Sequence, residues 1–207
     1  MKTIIITGPS GSGKSYLSNK LSKLFNNSIV IKTDSYYRDN IFIRLLSIFL
    51  YDIYDRPFSI KKNELKKILK SLDNNVSPIS FYKYDYKIKH SSQSNISIKY
   101  KGESQFLIVE GIFAHRLNLN YRETINIVCQ EQKHICFKRR LIRDQLERGR
   151  DSSEVYKKFN KSWFLFFKNV EKYLNNNKVI SIHPPDKITY NKLILNLQNE
   201  QKNNQEK

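Results

Sequence analysis

At 207 residues with 39% hydrophobic side chains, the chain is long enough to bury a substantial core and is expected to form one domain. Its 37 Lys+Arg outnumber 19 Asp+Glu for a formal charge of +18, with the lysines scattered more than clustered. This global bias toward lysine, asparagine, isoleucine and tyrosine argues against nucleic acid as the main partner and suits an anionic cosubstrate. No apolar stretch is long enough to span a membrane; residues 41–51 come nearest and contain Arg44. The core strand begins at residue 2, which is expected to leave no room for a targeting leader. Cys129 and Cys136 form no metal or redox pattern and read as small buried side chains, so a reduced, cytoplasmic protein is expected.

Residues 4–7 are β-branched and continuously apolar until the last, as in a buried parallel strand. GPSGSGKS follows at 8–15, and Gly8, Gly13, Lys14 and Ser15 satisfy G-x-x-x-x-G-K-[ST]. Residues 16–25 then place Leu17, Leu21, Leu24 and Phe25 at helical spacing, so the strand-before, helix-after context is met. Glycines at 8, 11 and 13 let successive N–H groups point into one concavity, and the helix start adds partial positive charge there. Ser10, Ser12 and Tyr16 are the neighbouring candidates for nucleotide contact. Lys14 can reach the β- and γ-phosphates of a nucleoside triphosphate, and the Ser15 hydroxyl can bind Mg²⁺. A flexible turn that matches by accident is the competing explanation, and the flanking pattern disfavours it.

SIVIKTD (28–34) reads as a second strand ending on Asp34. An aromatic and aliphatic segment runs to Tyr54, Pro57 breaks the chain, and 59–72 is an amphipathic helix carrying Leu65, Ile68, Leu69 and Leu72. Residues 79–101 alternate on either side of SSQSN, which predicts a hairpin with its turn there. Further strands are expected at 105–111, 124–129 and 178–182. Helices are expected at 134–151, 153–175 and 188–197, with a frayed polar tail over 198–207. The alternation argues for a three-layer α/β domain over 1–197 with a five-stranded parallel sheet, the hairpin inserted as an accessory lobe and 134–151 as an arginine-rich helical lid. In such sheets ligands sit beyond the carboxyl ends of the strands, where the 8–15 loop, Asp34 and Glu110 converge.

Phosphoryl transfer needs positioning, charge neutralisation and a base near the attacking hydroxyl. Asp34 is placed for the base role, a turn or helix-cap aspartate being the alternative. Glu110 is a candidate direct or outer ligand of Mg²⁺. Arg139, Arg140, Arg143, Arg148 and Arg150 crowd one helix and its end. Arg139 fits a solvated basic face; the others fit a lid whose guanidinium forks meet phosphate oxygens and stabilise the leaving γ-phosphoryl. Gly149 fits a bend or hinge at the lid's end.

In chain order, GPSGSGKS (8–15), DSYYRD (34–39), YDRP (54–57), YDYKIKH (84–90), VEGI (109–112) and RRLIRDQLERGRD (139–151) resemble the uridine kinase family, which is grouped with phosphoribulokinase. The resemblance covers residues 1–151 and fades after about 155. It implies a P-loop kinase fold and transfer of the ATP or GTP γ-phosphate to the 5′-hydroxyl of uridine or cytidine, with Mg²⁺. It also implies Asp34 as general base, with Lys14 and Arg143 assisting the transfer. Asp55 would bind the ribose hydroxyls, Tyr37 would lie beside the sugar, and Tyr84 and His90 would meet the pyrimidine. Arg140 and Arg150 would touch substrate, and Arg143 and Arg148 would face the phosphates. On their own, Asp55 reads as a helix-flanking aspartate and Tyr84 as hairpin packing. His90 stands six residues after Tyr84 where the family has five, and Lys158 replaces the family's glutamine. Other acceptors keep the same chemistry: pantothenate, nicotinamide riboside or a phosphorylated sugar. A nucleic-acid-binding P-loop protein or a regulator without catalysis is disfavoured by the missing second motif set and by the presence of Lys14, Ser15, Asp34 and Glu110. A homo-oligomer is compatible with the sequence.

Overall fold

The computed structural model describes residues 2–25, 28–49, 53–88, 90–101, 105–117, 124–175, 178–183 and 186–205, without the side chains of 44, 47, 48, 55, 200, 201 and 203–205. The elements run β1 (Thr3–Thr7), α1 (Lys14–Leu24), β2 (Ile29–Lys32), α2 (Ile41–Phe49), α3 (Lys62–Asp73), β3 (Ile79–Asp85), β4 (His90–Ile96), β5 (Leu107–Gly111), β6 (Thr124–Cys129), α4 (Lys133–Arg148), α5 (Ser152–Leu174), β7 (Val179–Ile182) and α6 (Lys187–Gln205). Short 3-10 turns lie at Thr33–Tyr36, Ile53–Asp55, Pro57–Ser59 and Ala114–Leu117.

Five strands form one parallel sheet in the order β2-β5-β1-β6-β7, so β1 lies at the centre. Period-two alternation splits its isoleucines between the faces. Ile4 and Ile6 meet Leu17, Leu21 and Phe25 of the α1 side and Leu193 and Leu197 of α6. Ile5 faces Leu65, Ile68, Leu69 and Leu72 of α3. Val128 joins Phe166 and Val170 of α5 in a third cluster. Helices thus cover both faces, which is why the central strand can carry three consecutive isoleucines, Ile4 to Ile6. Among the described residues, no helix is long and apolar enough to cross a membrane. Both cysteines are free and buried, as expected.

The structure departs from the sequence reading at the hairpin. β3 and β4 pair antiparallel from Ile79↔Ile96 to Asp85↔His90, so the SSQSN stretch lies within β4 and the turn falls after Asp85. The cause is local: the Asp85 carboxylate accepts from the amides of Lys87 (2.8 Å) and Ile88 (3.2 Å), starting the turn ahead of the SSQSN stretch. The last helix also runs on to Gln205, past the expected end at 197.

The end of β1 is tied down by a small polar cluster. Thr7 Oγ1 donates to the Ile112 carbonyl (2.7 Å) and lies 3.0 Å from His115 Nδ1. The hydroxyl proton is already committed, so we assign the ring proton to Nδ1. The ring stacks near Tyr173 at 4.7 Å, and burial lowers its pKa from 6.5 to about 4. The unfolded chain therefore takes up this proton first as pH falls, and the stability present above pH 6.5 is lost toward pH 4. We expect His115→Phe to flatten that part of the stability curve, by on the order of 2 kcal/mol. Urea unfolding of both proteins between pH 7 and 4 measures it; equal slopes would remove His115 as the source.

Candidate active site

The phosphate loop leaves β1 at Gly8 and enters α1 at Lys14. Gly11 and Gly13 hold φ of 86° and 90°, the left-handed region that turns the loop's amides inward. The Ser12 amide closes the turn on the Pro9 carbonyl at 3.2 Å. Lys14 is buried and its ammonium donates to that same carbonyl at 2.9 Å. Desolvation lowers the Lys14 pKa, while the nearby carboxylates of Glu110 and Asp34 act to raise it.

Asp34 stands in the turn directly after β2, and Glu110 is the penultimate residue of β5. The turn can approach because residue 111 has no side chain: a Cβ on Gly111 would overlap the Thr33 hydroxyl. Glu110 is 3% exposed and accepts from Ser15 Oγ at 3.1 Å. Burial raises its pKa; Lys14 and the Ser15 hydrogen bond oppose the rise. Among the described residues, no group of three or more His, Cys, Asp or Glu could hold a metal. Mg²⁺ in phosphate sites takes one or two protein oxygens and completes its shell with phosphate and water. The hard oxygens of Ser15 and Glu110, side by side at the helix start, fit that need.

The opposite wall is α4. Arg139 donates to the Gly11 carbonyl at 3.1 Å and pairs with Glu131 at 3.3 Å, so it is more than a solvated basic face. Arg143 reaches Ser10 Oγ at 3.3 Å, and Arg148 stacks on the Tyr86 ring at 3.7 Å. Arg140 donates to Ser162 Oγ at 2.8 Å. Behind this wall lies Asp144, fully buried. Burial works to raise its pKa, but Arg143, Arg148 and Arg140 hold it below the usual carboxylate range.

A cleft of about 480 Å³ gathers these groups, lined by Lys14, Ser15, Asp34, Glu110, Arg143 and Arg148 together with Ser10, Gly11, Gly13, Tyr16, Arg139 and Arg140. Gly8 and Ser12 sit in the loop, buried behind the lining. Of the candidates for acceptor contact, Asp34 and Arg140 line the cleft, while Tyr37, Tyr84, His90 and Arg150 do not. Tyr37 and Tyr84 are 4% and 6% exposed and pack on one another and on Tyr54, with centroids 5.3–5.9 Å apart. His90 is exposed and lies 3.7 Å from Asp39, which also binds Lys61 and the Ser91 amide. Arg150 bonds Asp144 at 2.8 Å, behind the cleft wall. The Asp55 side chain lies outside the described residues.

Tyr86 and Asp144, like the cleft residue Glu147, went unassigned in the sequence. Tyr86 lines the cleft and sits two residues after Tyr84 in the same quoted motif. Asp144 is four residues from both Arg140 and Arg148, a spacing that signals contact on a helix.

The model of the Phosphoribulokinase / Uridine kinase family matches residues 3–189, well beyond the stretch over which the motifs are visible. Curated uridine kinases of Staphylococcus haemolyticus (strain JCSC1435) and Staphylococcus carnosus (strain TM300) are 33% and 34% identical over 161 residues, 76% of this chain and 75% of theirs. Among solved structures, one described as a possible uridine kinase from Bacillus stearothermophilus superposes with a TM-score of 0.57 at 14% identity, covering 86% of this chain and 87% of that one. D-glycerate 3-kinase from Cryptococcus neoformans gives 0.51 at 14% identity, covering 81% and 78%. At these identities the structures speak for the fold alone.

Gly111 provides a test of how the cleft is assembled. Gly111→Ala forces the Thr33–Tyr36 turn to move, and Asp34 with it. We expect turnover to fall about 10²-fold with nucleotide affinity nearly kept. Steady-state kinetics and nucleotide titration check this; unaltered turnover would show that the turn's seat against β5 does not matter.

Proposed function

We propose a function from the premise that this chain belongs to the phosphoribulokinase/uridine kinase family. It is a phosphotransferase with an alcohol acceptor, a kinase of nucleosides or related small molecules. Our reading is that the donor is ATP or GTP and the acceptor the 5′-hydroxyl of uridine or cytidine. The supporting observation is the shared cleft in which Asp34 lies among Lys14, Glu110, Arg143 and Arg148.

In this reading the loop amides and Lys14 bind the β- and γ-phosphates. Asp34 accepts the proton of the acceptor hydroxyl as its oxygen attacks the γ-phosphorus and the nucleoside diphosphate leaves. Lys14, Arg143 and Arg148 neutralise the charge that builds on the transferred oxygens. Mg²⁺, held by Ser15 and Glu110, would add charge neutralisation when bound. Tyr86 forms the acceptor-side wall, with Tyr37 and Tyr84 packed behind it; Asp55 is kept as the contact of the sugar, and Arg150 acts only through Asp144.

One observation favours a second reading with the same chemistry. Tyr84 and His90 are turned away from the cleft, so another small alcohol is compatible with what lines it. Diphosphate release from Mg·ATP against uridine, cytidine, pantothenate, nicotinamide riboside and sugar phosphates separates the two. We expect release with uridine or cytidine, and for Asp34→Asn a turnover lower by about two orders of magnitude with ATP binding nearly intact. An unchanged Asp34→Asn rate would take the base role from Asp34, and release only with a non-nucleoside would favour the second reading.

A further inference from the structure

Asp144 is 0% exposed, yet four guanidinium groups converge on it. Its Oδ1 accepts from Arg143 Nε at 2.9 Å and from the Arg143 terminal nitrogen at 2.7 Å, and lies 3.4 Å from Arg148. Its Oδ2 accepts from Arg150 at 2.8 Å and lies 3.5 Å from Arg140 Nε. The two oxygens serve different populations. Arg143 and Arg148 are cleft groups beside Lys14, and Arg143 already touches Ser10 of the phosphate loop. Arg150 does not line the cleft, and Arg140, although it reaches the lining, is 3% exposed and anchored by its bond to Ser162.

A carboxylate and a phosphate offer a guanidinium fork the same pair of acceptor oxygens. We propose that Asp144 is a positioning residue that stands in for phosphate. Before nucleotide binds, it holds Arg143 and Arg148 at the mouth of the loop. When a triphosphate enters, its oxygens take over part of those hydrogen bonds, while Arg140 and Arg150 remain on Asp144 and keep it charged. No covalent step is involved; hydrogen bonds are exchanged between two anions. The inference rests on the kinase reading only in taking the incoming anion to be a polyphosphate.

The exchange has a consequence that simple structural support lacks. Affinity for polyphosphate includes the cost of drawing Arg143 and Arg148 off Asp144. Removing the Asp144 charge should therefore tighten polyphosphate binding while slowing transfer, because the arginines are no longer aimed. Removing Arg150 should do the reverse to binding, since Asp144 then grips the cleft arginines harder.

The test is calorimetric titration of pyrophosphate and ADP into wild type, Asp144→Asn and Arg150→Gln, with turnover measured on the same proteins. Glu147→Gln, which removes a carboxylate from the same cleft, and Lys138→Gln, which removes an exposed cation from the same helix, control for net charge. We expect Asp144→Asn to bind pyrophosphate about fivefold tighter or more, well beyond Glu147→Gln, with turnover reduced about tenfold. Arg150→Gln should bind it about threefold more weakly, beyond Lys138→Gln. Weaker binding by Asp144→Asn, or a gain no larger than that of Glu147→Gln, overturns the proposal. If Asp144→Asn does not fold, Arg150→Gln decides: affinity no lower than that of Lys138→Gln overturns it. A wild type that binds neither pyrophosphate nor ADP overturns the kinase reading and this inference with it; a wild type that binds both while the variants fail these comparisons overturns this inference alone.

Discussion

The structure is organised around a charge problem. Lys14, Arg139, Arg140, Arg143 and Arg148 crowd the carboxyl edge of the sheet, and burying a cation without an anion or acceptor beside it is costly. The chain supplies the partners itself. Pro9 and Gly11 lend carbonyls to Lys14 and Arg139, Glu131 takes a second bond from Arg139, and Asp144 carries the rest. The carbonyls are fixed by the backbone, Asp144 by full burial, and the Glu131 carboxylate by the Gln132 amide, so the cations are held at defined places. A cleft ready to receive phosphate oxygens is the by-product of solving that problem.

The sheet makes the gathering possible. With all five strands parallel and β1 between β5 and β6, the loop after β1, the end of β5 and the turn after β2 share one edge. In register, Ile6 lies opposite Glu110 and Thr7 opposite Gly111. The carboxylate is therefore two residues short of the phosphate loop, where Ser15 can reach it. The bare α-carbon at position 111 then admits the turn that carries Asp34.

Most of this was legible because it rests on periodicity or on a short contiguous motif. The central strands are β-branched and apolar on both faces, and the phosphate loop is defined within eight consecutive residues. What was not legible depends on which of two local options wins, or on partners far apart in the chain. SSQSN has the composition of a turn, but Asp85 caps the chain first and the stretch becomes strand, with Ser92 and Ser94 exposed. Tyr37, Tyr54, Tyr84 and Tyr86 form one ring cluster, and no feature of the sequence says which ring faces the cleft and which lie behind it. Asp144, in an arginine-rich helix, reads like any surface partner at a four-residue spacing; its full burial among four guanidinium groups, Arg150 from beyond the helix included, is a tertiary feature. The shift at His90 follows from the same early turn, which directs that residue to Asp39 instead of the cleft.

The arginine helix was expected to act as a lid, and its seating restricts what such a lid can be. Its first turns already rest on the phosphate loop: a side chain at Gly11 would overlap the Cys136 carbonyl, and Arg139 and Arg143 bond Gly11 and Ser10. Swinging the helix away as a body would break these contacts, separate Arg140 from Ser162 and bring Asp144 with its guanidinium partners into water. The outer contacts are of a different kind. Arg148 touches the hairpin through one face-on stack with Tyr86, and the hairpin is fastened to the body near that point by Asp39, through Lys61 and the Ser91 amide. Rearrangement on ligand binding is therefore cheapest in the ends of the arginine side chains and in the hairpin, with the α4 backbone as the fixed frame against which they move.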